Sequence, residues 1–257
     1  MKQDRGNGCL AVDIGNTNVC LGLVRGGKVV RRRRLRTHLR ARGAVREAIR
    51  AVLRTTAVRG SVLGSVVPSE DPVWVSELAR ALGEEPVRIS HKLALPISIS
   101  YPRPSAVGAD RLANASAAVC RYGKPVIVAD FGTALTFDVV SAAGAYVGGV
   151  IVPGLPFMTD YLAEKTELLP RIALAGRCGA VGRSTGEAMR IGARVGYRGT
   201  VREITEYLIA GLKLKGVKLC ATGGGARWAL EGAGLPFAFD PDLTLHGLNK
   251  IFELNAV

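Results

Sequence analysis

Two short stretches constrain this chain more than anything else in it. Asp13-Ile14-Gly15-Asn16-Thr17-Asn18 and Asp130-Phe131-Gly132-Thr133-Ala134 each place a carboxylate two residues before a glycine. Cys9-Leu10-Ala11-Val12 leads into the first and Val19-Cys20-Leu21-Gly22-Leu23-Val24 leads out. Val126-Ile127-Val128-Ala129 and Leu135-Thr136-Phe137-Asp138-Val139-Val140 flank the second. Apolar runs on both sides of a small polar turn predict β-hairpins with buried strands. A glycine there lets backbone N–H groups approach an anion, and Asn16 and Thr17 add neutral donors. A carboxylate would repel phosphate directly, so the useful role for Asp13 is to hold a hydrated magnesium ion against it. One such hairpin alone reads as an ordinary turn. Two, one in each half, suggest two related lobes facing a nucleotide.

A third glycine cluster, Thr222-Gly223-Gly224-Gly225-Ala226, follows the apolar run Val217-Lys218-Leu219-Cys220-Ala221 and precedes a helical pattern. Strand, glycine turn and helix start is a place where backbone approaches a ligand and a helix N-terminus favours negative charge. The three stretches together resemble the actin, hexokinase and Hsp70 superfamily of ATP-binding folds, with two phosphate hairpins and an adenosine-side glycine turn.

Between the hairpins the pattern is a third strand over 28–37, a helix over 44–57, a strand over 61–67, a helix opened by Pro72, and short strands at 87–89 and 97–99. Three strands, helix, strand, helix, strand is the order of a ribonuclease-H-like lobe. Beyond the second hairpin come a strand with a glycine break over 146–154 and a helix over 157–165. A longer helical region from Gly182 to Leu212 is interrupted at Gly192, Gly196 and Gly199, glycines that either break it or let helices pack closely. A final amphipathic helix spans 243–254. The fold expected is α/β, two ribonuclease-H-like lobes of the actin-like ATPase kind over 1–115 and 116–257, with the nucleotide in the cleft between them.

Charge is placed unevenly. Residues 1–125 hold 22 Lys or Arg against 9 acids, and the remainder 13 against 12. Much of the excess lies in 31–50, including Arg31-Arg32-Arg33-Arg34. Clustered arginine is the footprint of a nucleic-acid surface. Without interleaved aromatics, an edge strand and a solvated helix face fit better. No apolar stretch approaches the roughly 20 residues that span a bilayer, and the polar first eight residues have no signal core behind them. A cytoplasmic protein is expected. Cys9, Cys20, Cys120, Cys178 and Cys220 lack any Cys-x-x-Cys spacing and read as reduced, buried thiols.

The sharpest chemistry lies in Tyr101-Pro102-Arg103-Pro104-Ser105-Ala106-Val107-Gly108-Ala109-Asp110-Arg111. Two prolines fix an extended approach, Gly108 permits a turn, and an alanine-rich helix follows to Tyr122. Asp110 and Arg111 thus sit in a first helical turn. There Asp110 either favours the helix dipole or accepts a proton from an attacking hydroxyl, while Arg111 either pairs with a surface acid or grips an acidic substrate.

With these residues in order, the whole chain resembles the type III pantothenate kinases. The landmarks are the Asp13 hairpin, Gly108-Ala109-Asp110-Arg111, the Asp130 hairpin, Gly148-Gly149 with Pro153-Gly154, Thr166-Glu167-Leu168-Leu169-Pro170, Ser184-Thr185 and Thr222-Gly223-Gly224. The resemblance implies ATP- and magnesium-dependent phosphorylation of pantothenate to 4′-phosphopantothenate, the first step toward coenzyme A. It implies Asp110 as general base, and Asp13, Ile14, Gly15, Asn16, Thr17, Asn18, Val19 and Cys20 as the phosphate loop, with Asp13 near magnesium. Tyr101, Gly108, Ala109, Asp110, Arg111 and Thr185 would line the pantothenate pocket. Thr133, Gly223 and Gly224 would contact ATP, and Asp130 would bind a monovalent cation, potassium or ammonium. A homodimer is implied, its interface in the second lobe, with Thr185 acting across it. Arg103 and Ser184 stand where the family commonly has asparagine. Other readings are a sugar or acetate kinase of the same fold, or a non-catalytic relative acting as a transcriptional accessory factor. Retention of Asp13, Asp110 and Asp130 weighs against the latter.

Overall fold

The computed structural model describes residues 8–37, 42–176 and 179–256. They divide into two compact units, one of Met1–Gly123, Gly144–Val147 and Asp242–Val257, the other of Lys124–Ala143 and Gly148–Pro241. The polar N-terminal tail before Gly8 and Cys178 lie outside the described residues.

In the first unit β1 (Gly8–Ile14), β2 (Asn18–Arg25) and β3 (Lys28–Arg36) form an antiparallel meander. After α1 (Arg42–Leu53), β4 (Gly60–Ser65) joins β1 in parallel; after α2 (Asp71–Leu82), β5 (Val87–Arg88) joins β4. The strand order β3-β2-β1-β4-β5 is the ribonuclease-H-like arrangement expected from the sequence. Helices α3 (Ala109–Tyr122) and α7 (Leu243–Asn255) belong to the same unit.

Strand β1 is apolar without alternation because both its faces are covered. Leu10, Val12 and Ile14 pack with Val45, Ile49, Trp74 and Leu78 of α1 and α2. Cys9 and Ala11, on the opposite face, pack with Ala113 of α3 and Leu245, Leu248 and Phe252 of α7. The second face is built from small residues. A side chain at Gly22 would run into Leu245, and one at Gly247 into the backbone of Ala113, so α3 and α7 lie close to the sheet and to each other. That proximity explains the alanine-rich composition of α3.

The basic run lies on the edge strand β3, where successive side chains take opposite faces. Arg31 donates to the carbonyl oxygens of Val52 and Leu53 (2.8 and 3.0 Å), closing the C-terminus of α1. Arg32 pairs with Asp242 and Arg33 with Glu47, both at 2.9 Å. Three of the four arginines therefore serve the unit's own fold.

The second unit repeats the strand pattern. Its β7 (Val126–Phe131) and β8 (Ala134–Val140) form an antiparallel hairpin, β9 (Ala145–Pro153) adjoins β8, and β10 (Lys218–Thr222) and β11 (Ala238–Phe239) extend the sheet in parallel from β7. Strand β6 (Ser98–Ile99) pairs with Ala145 and Tyr146, the part of β9 that clusters with the first unit. After β9 comes the short α4 (Leu162–Lys165), and Ile127, Ala129 and Phe131 pack on α5 (Thr185–Gly211) and α6 (Ala226–Leu230) through Tyr197, Val201, Leu208, Ala226 and Ala229.

Two expectations are corrected. The region from Gly182 onward becomes one unbroken 27-residue helix, α5, despite Gly192, Gly196 and Gly199. Its buried face, Ala193, Tyr197, Val201, Thr205 and Leu208, holds it together, which outweighs the cost of about 1 kcal/mol per glycine. The cysteines also differ among themselves: Cys9 and Cys220 are buried, Cys20 is half-buried and Cys120 is exposed on α3. Among the described residues no helix is long and apolar enough to cross a membrane.

Candidate active site

Asp13 is the last polar residue of β1, in register with Cys20 on β2 and Gly64 on β4. The alternation that sends Leu10, Val12 and Ile14 to the α1 and α2 face sends Asp13 to the face of α3 and α7. Residues 15–18 make the turn, closed by Gly15 N–H donating to the Asn18 carbonyl oxygen at 3.0 Å. Asn16 and Thr17 are exposed at its tip.

Thr37, directly after β3, fixes this turn and was not singled out by the sequence. Its hydroxyl donates to the Gly15 carbonyl oxygen at 2.5 Å and its N–H to that of Thr17 at 3.2 Å. Two backbone carbonyls, the groups that repel an anion, are thereby occupied. Thr37 is buried, in a chain position that looks like the tail of an arginine-rich strand.

Helix α3 begins against the same sheet end. The ideal Cβ position of Gly64 is only 3.7 Å from the Ala109 Cβ, and Val66 N–H donates to the Ile14 carbonyl oxygen at 3.0 Å. Gly108 caps the helix, and a Cβ there would sit 2.6 Å from Asp110 Oδ1. That oxygen accepts a hydrogen bond of 2.8 Å from the Arg111 N–H. The Arg111 guanidinium lies 5.9 Å from the ring centroid of buried Tyr146, whose ring meets that of Tyr101 edge-on at 6.2 Å. The first unit thus gathers the Asp13 turn and the Gly108 to Arg111 turn at one end of its sheet, and joins Tyr101 to Arg111 through Tyr146. In the sequence Tyr146 is no more than a strand residue.

In the second unit Asp130 occupies the place in β7 that Asp13 has in β1, half-buried and in register with Thr136 on β8 and Thr222 on β10. The turn is one residue shorter, 132–134, with Thr133 exposed at its tip. Backbone packs on backbone around it. Gly154 N–H donates to the Thr133 carbonyl oxygen at 3.2 Å, and a Cβ on Gly154 would collide with the carbonyls of Gly132 and Thr133. Gly223, at φ +93°, has no room either: a Cβ would lie 2.6 Å from the Phe131 backbone. Gly224 is exposed beside it. Thr185 is exposed in the first turn of α5, after Ser184, whose hydroxyl accepts from the Glu187 N–H while the Glu187 carboxylate accepts from the Arg183 N–H. Serine and asparagine are both strong N-caps, so the helix start survives the exchange.

The sequence profile of the type III pantothenate kinases matches residues 9–207. A type III pantothenate kinase of Persephonella marina is 35% identical over 253 residues, covering 95% of this chain and 98% of the relative. The chain belongs to the type III pantothenate kinase family. An Akkermansia muciniphila member is 47% identical over 161 residues, where the match spans 63% of this chain and 66% of the relative. Among solved structures, a Baf family transcriptional activator from Campylobacter jejuni superposes with a TM-score of 0.60 at 18% identity, covering 95% of this chain and 97% of the other. A ROK family glucokinase from Streptomyces griseus, in complex with glucose and AMPPNP, gives 0.53 at 15%, covering 95% and 98%. These place the chain among two-lobe actin-like ATPase folds.

For a kinase of this family the electrostatics of the first unit are informative. Burial pushes the Asp110 carboxyl above its ordinary pKa, against the opposing pull of the Arg111 N–H and charge. A raised pKa makes a carboxylate a better proton acceptor. Burial, with the Asp13 charge adding to it, pushes the Cys20 thiol up to about 11, so it stays neutral beside the turn. Among the described residues no three His, Cys, Asp or Glu side chains cluster to hold a metal. Magnesium needs no such cluster, because it keeps several waters and takes other ligands from phosphate.

Proposed function

We propose that this chain transfers the γ-phosphoryl group of ATP to the hydroxyl of pantothenate, giving 4′-phosphopantothenate and ADP, the first step of coenzyme A synthesis, in the cytoplasm. The observation that carries the reading is Asp110 beside Arg111 in the first turn of α3, at the sheet end that holds the Asp13 turn. Asp110 accepts the hydroxyl proton as the oxygen attacks phosphorus, and Arg111 holds the pantothenate carboxylate. Tyr101, Gly108 and Ala109 complete that wall, with Thr185 reaching it from a partner copy. The loop from Asp13 to Cys20 cradles phosphate, and Thr133, Gly223 and Gly224 contact the nucleotide. Asp13 would hold magnesium, and Asp130 a potassium or ammonium ion. When bound, these ions neutralise charge on the phosphates; alignment of the two reactants does most of the rest.

The homodimer is supported by α5. Gly192, Val195, Gly196 and Gly199 follow one another at helical spacing, Val195 is exposed, and open space surrounds the three glycines. A face this small admits a second helix closely.

The test is ATP consumption with magnesium and pantothenate, run in potassium and in sodium buffer. Pantothenate-dependent turnover is expected, faster in potassium. Turnover equal in both would remove the cation from Asp130; none in either would remove the kinase reading.

A further inference from the structure

Helix α5 carries arginines at every fourth position from Arg190 to Arg202, and the first three, Arg190, Arg194 and Arg198, are spaced about 6 Å apart. The Nε of each of these three is buried without a hydrogen-bond partner among the described residues, as is the indole Nε1 of Trp228 on α6. All four atoms are donors. The cluster is rich in donors and cationic charge and poor in acceptors; the four atoms themselves have no exposed surface, so a ligand would meet the edges of the Arg194 and Arg198 guanidinium groups that line the cavity.

The other guanidinium nitrogens act as scaffolding. Arg194 Nη2 donates to the carbonyl oxygens of Leu174 and Gly176 (3.3 and 2.8 Å), and Arg198 Nη2 to that of Trp228 (3.0 Å). Arg198 also stacks on the indole, 5.5 Å from its centroid. The two forks are thus held in place beside a cavity of about 410 Å3 that they line with Leu174, Gly176, Trp228 and Glu231. Glu231, the acid of that lining, is 80% exposed and 3.7 Å from Arg198, too solvated to neutralise two permanent cations.

We propose that this cavity binds a phosphate-class oxyanion, free or carried by a small metabolite, on residues separate from the nucleotide and pantothenate loops. Guanidinium groups match such anions in charge and in geometry. The experiment is calorimetric titration of the full-length protein with inorganic phosphate, pyrophosphate and 4′-phosphopantothenate, repeated on Arg198→Met, Arg194→Lys and Glu231→Gln. Binding of inorganic phosphate or pyrophosphate identifies a free anion as ligand; binding of phosphopantothenate alone identifies a metabolite's phosphoryl group. In either case Arg198→Met should weaken binding at least about tenfold and Glu231→Gln should strengthen it a few-fold, with basal turnover unchanged. Should Arg198→Met fail to fold, Arg194→Lys and Glu231→Gln decide. Absence of binding by all three probes, or equal affinities across the variants, overturns the proposal.

Discussion

Asp110 carries two opposed demands. Its carboxylate is crowded enough for burial to raise its pKa, yet the reaction proposed needs it ionised. Asp110→Asn should lower turnover by about 100-fold or more, measured as pantothenate-dependent ATP consumption. The same variant should be more stable than the parent at pH 7. The folded-state pKa lies above the unfolded value of about 3.9, so the parent loses stability as pH rises through it, a loss the amide escapes. Thermal denaturation should show the two proteins converging below about pH 4 and separating above. A variant that is equally stable at every pH would mean that burial exerts no such pull. This site was legible in the sequence because a proline-fixed approach, a glycine cap and an Asp-Arg pair are local. Thr37 and Tyr146 were not, since their roles depend on which strand lies beside them.

At the scale of elements, the hairpins and helices followed from apolar runs and turn residues, and what escaped was helix continuity. Glycine propensity suggested breaks at Gly192, Gly196 and Gly199, but a buried face of five residues holds α5 intact. Two elements give tests. Arg31→Met removes the bonds that close α1 and should cost about 1–2 kcal/mol in chemical denaturation, leaving turnover unchanged. An unchanged midpoint would show those bonds to be isoenergetic with water. Gly154→Ala puts a methyl group into the carbonyls of Gly132 and Thr133 and must displace the turn. It should cost about 1–3 kcal/mol and raise the KM for ATP; a normal KM would take that turn out of nucleotide binding.

For the whole molecule, the net charge of +14 says less about partners than its size suggests, because Arg31, Arg32 and Arg33 are bonded within the first unit. The proposed homodimer predicts twice the chain mass in sedimentation, and Val195→Glu on α5 should shift it toward the monomer and lower turnover. Sedimentation of Val195→Glu as the parent would exclude that face as the interface. The sequence by itself determined the two Asp-Gly hairpins, the strand and helix order of the first unit and the family, because turn chemistry and hydrophobic period act over a few residues. Only the tertiary structure decided that the last helix, α7, covers the sheet of the first unit together with α3, that Thr37 pins the Asp13 turn, and that Gly154 and Gly223 wall the Asp130 turn. Those contacts join residues far apart in the chain, and they are selected by the fit of small side chains and backbone that no local pattern records.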